Sequence, residues 1–247
     1  PAAVVAAPGQ FEAPGDVAAV PGVGMAVSDT GNDRIQILDD DGAFVRSWPV
    51  DDPHGLLVEQ VGMVDVDIWV VSPSSRAVYR YGVSGALEHA LPVGDTSAPG
   101  SPEPVGLAQR GTWVADRGIG EVRLATTDLD HTATLFELPG VEAAAPLLGT
   151  GGFGLAGAPQ IGLVPATGYR SPGRSIRFER VKDLEGGPDG RAFAAVEPEG
   201  VVVLDDPAAA VARLLDNRGQ LVQPRRVAVG ATLLLADALP RVQIWSR

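Results

Sequence analysis

Carboxylates and histidines at the start of short apolar strands can hold a metal ion or move a proton. Four positions in this chain have that placing. Asp16, His54, Asp183 and Arg225 stand at or beside the openings of "PGDVAAV", "PHGLLVE", "RVKDLEG" and "PRRVAVG". Two acids and a histidine are the donor types for calcium or zinc, and for general acid–base work. Val105 holds the corresponding place in "PVGLA", so the set is mixed and falls short of a ligand shell. The chain has 3 histidines, and His89 and His131 fall on predicted outer strands or their loops, which makes a multi-histidine zinc site hard to assemble. A second candidate is the polar turn in "SDTGNDRIQILDDDG", which has the look of a calcium loop. It lacks the D-x-[DN]-x-[DN]-G spacing and the closing glutamate, so a structural turn is the better reading. There Asp29 is placed to accept hydrogen bonds from its own turn, Gly31 to take a positive φ, and Arg34 to reach back to a carboxylate. The chain has no cysteine, which excludes thiol catalysis, Cys-ligated zinc and disulfides. "GTGGFGLAG" is followed by no helical pattern, and no G-x-S-x-G elbow, P-loop or dinucleotide fingerprint occurs in its proper context.

Composition narrows the partners. The formal net charge is -12, which opposes a nucleic-acid face because phosphate neutralisation needs clustered cations. Lys182 is the one lysine; the other cations are arginines, a bias that points to a GC-rich bacterial genome. No apolar run reaches the length of a membrane span, so no membrane insertion is expected. The compartment stays open, with an extracellular or cell-surface setting favoured.

The elements that must position these residues come from an internal repeat. Five segments share an apolar strand, a polar turn and an alternating strand: 25–38, 68–81, 112–125, 193–204 and 233–245. Period-2 alternation is what a half-buried antiparallel strand requires. A short apolar strand, usually approached through proline (Pro14, Pro53, Pro104, Pro224), precedes each pair, and an outer strand such as "FVRSWPV" or "TATLFEL" follows. Four strands in about 40 residues is the size of a propeller blade. The chain therefore reads as all-β, a single β-propeller domain over 1–247 with six four-stranded blades, five being the competing number. The blades are expected near 10–50, 51–97, 102–140, 141–180, 181–218 and 221–247, the last completed by residues 1–8. The weak point is 141–180, where glycine and alanine blur the pattern and four strands are hard to place.

The first repeat resembles a known family. "GQFEAPGDVAAVPGVGMAVSDTGNDRIQILDDDGAFVRSW" is similar to an NHL repeat, through Gly9, Phe11, Pro14, Asp29, Thr30, Gly31, Asn32, Arg34, Ile35, Gly42 and Phe44. Elsewhere the likeness survives as periodicity, with echoes in "WVADRG" and "RVQIW"; "RVKDLEGGPDGRAF" also resembles soluble sugar dehydrogenase propellers. The resemblance implies six blades and a wide range of functions: protein- or RNA-binding modules, bacterial sensor domains, a peptide-amidating lyase, and related lactonases and streptogramin lyases. Fold alone does not choose among them. The amidating lyases place a histidine before glycine much as His54 precedes Gly55. The lactonases ligate calcium with Glu, Asp and Asn, whereas this chain has Asn32 and Asn217 alone, both in turns or outer loops.

Two function classes follow. The favoured one is a non-catalytic interaction or scaffold propeller, without cofactor, binding a protein partner as a domain or subunit of a larger extracellular or phage-tail-like assembly. Its expected contact surface is Tyr169, Arg170, Arg174 and Arg177, in or beside an irregular segment over 166–177. The alternative is a calcium- or zinc-dependent lyase or lactonase with Asp16, His54 and Asp183 at the channel mouth. Trp69 and Trp113 occupy matching second-strand places and are expected in packing between blades; Trp48 and Trp245 lie at strand ends, with partial exposure expected.

Overall fold

The computed structural model describes residues 6–61, 65–92, 104–108, 113–116, 121–125, 132–137, 141–147, 152–157, 160–164, 174–177, 180–186, 191–197, 200–206, 209–214, 224–229, 233–237 and 242–245. Over these residues it is all-β and arranged in antiparallel sheets. The first sheet runs β1 (Asp16–Val20), β2 (Gly24–Asp29), β3 (Arg34–Leu38), β4 (Phe44–Pro49), and the second β5 (Leu56–Val61), β6 (Asp65–Ser72), β7 (Ala77–Gly82), β8 (Leu87–Pro92). The third runs β9 (Pro104–Ala108), β10 (Trp113–Asp116), β11 (Glu121–Ala125), β12 (Thr132–Glu137). β13 (Val141–Leu147), β14 (Gly152–Gly157), β15 (Gln160–Val164) and β16 (Arg174–Arg177) make the fourth. The fifth holds β17 (Arg180–Gly186), β18 (Ala192–Glu197), β19 (Gly200–Asp206) and β20 (Ala209–Leu214). The sixth, β21 (Pro224–Val229), β22 (Leu233–Asp237) and β23 (Val242–Trp245), has three strands among the described residues.

Each sheet is a meander in which every strand pairs with the next in sequence. The short polar turns that separate the apolar runs dictate this, because they leave room only for hairpin connections. The weakly patterned stretch 141–180 obeys the same rule. Residues 174–177, which the sequence assigns to the neighbourhood of an irregular insertion, form β16 and pair with β15. Backbone hydrogen bonding organises these strands even where glycine and alanine supply little side-chain signal.

Sheets pack face to face through their inner strands. β1 lies beside β5, β5 beside β9, β9 beside β13, β13 beside β17, β17 beside β21, and β21 beside β1. After Asp16, β1 is apolar on both faces because each face meets a neighbouring sheet. Ala18, Val20, Ala26, Ile35 and Ile37 of the first sheet join Leu56, Ile68 and Val70 of the second in one cluster. The alternate residues Val17, Met25, Val27 and Leu38 turn the other way and pack on Ala228 of the sixth. Each Val, Leu, Ile or Met side chain among them, fully buried, contributes about 1.5–3 kcal/mol.

Trp69 is buried, packed with Val71, Val78 and Leu91, with the Arg80 guanidinium 5.6 Å from its ring centroid. Trp48 departs from the expected partial exposure: it is buried in the cluster between the first two sheets, 5.6 Å from the Tyr81 ring. Gly85, at φ +86° in the turn after β7, lies flat against it, and a Cβ there would come within 2.8 Å of the indole. Only a glycine fits both the φ and the approach.

Candidate functional site

Asp29, at the end of β2, is fully buried, and its carboxylate gathers donors from two directions. Oδ1 accepts the Glu12 amide at 2.7 Å and Oδ2 accepts Arg34 Nε at 2.7 Å and Gln36 Nε2 at 2.9 Å. Asn32 Nδ2 donates to both oxygens at 2.9 Å. The same residues grip the chain ahead of β1: Asn32 Oδ1 accepts the Ala6 amide, Gln36 Oε1 the Gly9 amide, and Arg34 and Gln36 donate to the Gln10 carbonyl. With Asn32, Arg34 and Gln36 all donating to one carboxylate and also holding the preceding chain, "DTGND" with the strand after it is a clamp for residues 6–12. Gly31 is needed for a different reason from the one its sequence implies. The left-handed residue of the turn is Asp33, at φ +49°. Gly31 instead donates its amide to the Glu12 carbonyl at 2.7 Å, where a Cβ would collide with that same backbone.

The four positions singled out at strand openings are brought to sheet junctions. Asp16 is buried; Oδ1 accepts the amide of Val17 and Oδ2 that of Leu56, 2.6 Å away on the next sheet. Asp183 repeats the contact, its Oδ2 accepting the Val227 amide at 2.8 Å. His54 holds the place of Gly15, one residue ahead of the Asp16 position. Its amide bonds to the Val71 carbonyl as Gly15 bonds to Ser28. Its Nε2 lies 3.0 Å from Asp52 Oδ1, both side chains about one-third exposed. Around it, Ser28 Oγ donates to the His54 carbonyl and Thr30 Oγ1 to that of Pro53, at 2.6 and 2.5 Å. Arg225 lies on β21, with its side chain outside the described residues. Asp16 and Asp183 thus stand at two inner-strand seams, one between the first and second sheets and one between the fifth and sixth, while His54 sits in the loop that crosses from the first sheet to the second. Among the described residues no set of three or more His, Asp or Glu is placed to hold a metal ion.

Tyr169 and Arg170 lie outside the described residues; Arg174 and Arg177 are the first and last residues of β16, with side chains outside them as well. Sequence reasoning missed four contributors. Gln36 is fully buried in "RIQIL", and the signal was available: a glutamine within an otherwise apolar alternation. Ser28 and Thr30 flank Asp29, and nothing local marks what they bond to, since their partners lie more than twenty residues away. Glu185 is the fourth. Burial, reinforced by the charges of Asp183 and Asp16, pushes its carboxyl well above the usual carboxylate range.

A cleft of about 530 Å³ opens between the clamped segment, the first sheet and the sixth. Phe11, Met25, Leu38, Val242 and Ile244 line it, with Gln10 as the polar wall.

No family model matches the chain, and no curated protein matches it by sequence. Solved structures do. A streptogramin B lyase superposes with a TM-score of 0.64 at 12% identity, covering 96% of this chain and 84% of that one. A catalytically inactive histidine-to-alanine variant of virginiamycin B lyase from Staphylococcus aureus, with quinupristin, gives 0.65 at 11% identity, over 96% and 85%. A Bacteroides thetaiotaomicron protein of unknown function gives 0.72 at 14% identity, over 94% and 68%. At these identities the likeness is one of fold: the chain has a β-propeller-type fold.

Proposed function

We propose that this protein is a non-catalytic interaction module built as a six-bladed NHL-type propeller. The observation that carries the reading is the engagement of its buried acids. Asp16 and Asp183 each hold the amide of the neighbouring sheet, and Asp29 holds the chain ahead of β1. These carboxylates are committed to assembly and not to a substrate. The run of inner-strand neighbours from β1 round to β21 and back supports a closed ring. In this reading residues 1–8 complete the sixth blade, whose third strand, β23, flanks the cleft that Ala6 and Gly9 also line.

The partner is a protein, met by the surface around Tyr169, Arg170, Arg174 and Arg177, in the setting of a larger extracellular assembly. Replacing Arg170 and Arg174 by alanine is expected to weaken partner capture at least about tenfold with Tm unchanged, since surface changes leave stability nearly constant. Unaltered capture removes that surface from the reading.

One observation favours a second reading, a lyase. His54 is paired with Asp52 at 3.0 Å, and the fold is shared with lyases, one of which a histidine-to-alanine change inactivates. His54, Asp16 and Asp183 are the donor types for calcium or zinc, but both oxygens of Asp16 already accept amides, so the donors as arranged do not form a shell. Stoichiometric calcium or zinc in the purified protein, with turnover of quinupristin lost in His54→Ala, would establish the lyase over the module.

A further inference from the structure

β21 runs between β17 and β1, and the face of β17 that bonds to β21 carries two carboxylates. Asp183 and Glu185 are two residues apart on β17, in unbroken register with Ala195 and Phe193 of β18, so they project from one face. Asp16 belongs to β1, on the far side. Asp183 is buried and bonded to the Val227 amide of β21, which makes its carboxylate a tie between the fifth and sixth sheets.

The geometry points to a pH-sensitive seam, in which a negative charge on Glu185 loosens the hold of β17 on β21. The charge would form two residues from the Asp183 carboxylate, on the same face, and would repel the very group that grips Val227. Its cost is visible in Glu185 itself: burial first, then Asp183 and Asp16, raise its carboxyl well above the ordinary value. The folded state therefore binds the proton more tightly than the unfolded chain. The stabilisation is complete below the usual glutamate range and is lost as pH rises from there through the raised value. The remaining charged residues of the neighbouring elements are Arg225 and Arg226 on β21, Glu142 on β13 and exposed Arg191 ahead of β18; Arg180 and Lys182, on β17, pair with Glu197 of β18.

Amide hydrogen exchange in the whole protein, corrected for intrinsic rates, reads the seam directly. Protection of the Val227 amide is expected to fall as pH rises, by up to about tenfold per pH unit where one proton is lost, while Ile68 in the second sheet holds constant. Glu185→Gln, which keeps the shape without the charge, is expected to flatten the Val227 profile. A flat profile in the unmodified protein, or an undiminished slope in Glu185→Gln, overturns the inference. Carbon-detected NMR titration of Glu185 in the unmodified protein adds a reading independent of any variant. A midpoint in the ordinary glutamate range would also overturn it.

Discussion

The Asp16 carboxylate accepts the Leu56 amide at 2.6 Å across the seam between the first two sheets. The donor opens β5 and has no strand partner on that side, so the carboxylate satisfies a group that packing would otherwise bury alone. Asp16→Ala is expected to cost about 1–3 kcal/mol, the penalty of an unsatisfied buried amide. Asp16→Asn, with one oxygen still able to accept, should lose less. Urea unfolding midpoints for the two variants check the order.

Asp29 holds more. Asp29→Ala strips the partner from Arg34, whose side chain is 11% exposed, and from Gln36 and Asn32 together. Breaking a buried pair on one side is expected to cost about 3–5 kcal/mol. Because the carboxylate also holds the Glu12 amide, exchange protection at Glu12, Gly9 and Ala6 should fall first. A variant that loses stability while keeping those amides protected would show that the clamp is not the cause.

Gly85 and Trp48 test the packing between the first two sheets. Gly85→Ala places a methyl 2.8 Å from the indole at a left-handed φ, and overpacking of this kind costs about 1–3 kcal/mol. Adding Trp48→Leu, which opens space, should recover part of the Gly85→Ala loss; a double-mutant cycle in thermal unfolding measures it. Strict additivity would separate the two sites.

Tyr81 predicts the alkaline limb of stability. Burial, with Tyr79 nearby adding to it, holds its phenol above the ordinary value. The neutral phenol is thus favoured in the folded state. The stabilisation is present below the unfolded value of about 10 and is lost as pH rises through the higher folded one. Tyr81→Phe should remove that share of the Tm decline above about pH 9, compared at matched ionic strength.

Much of this architecture is legible in the chain. The strand–turn–strand units at 25–38 and 68–81 became β2–β3 and β6–β7, because alternation and turn residues act over a few neighbours. In 141–180 the same strands form, but "GFGLAG" and "QIGLV" carry too few side chains to announce them. The polar sites were half legible. Asp16, Asp29, His54 and Asp183 are visible as residue types, whereas the donor each one meets is not.

The sequence by itself determined an all-β chain of short antiparallel strands, through a period-2 pattern that any local window can carry. Only the tertiary structure decided what its acids do. Asp16 meets an amide 40 residues away and Asp183 one 44 away. Such partners are chosen by how sheet packs on sheet, a distance across which local sequence pattern holds no information.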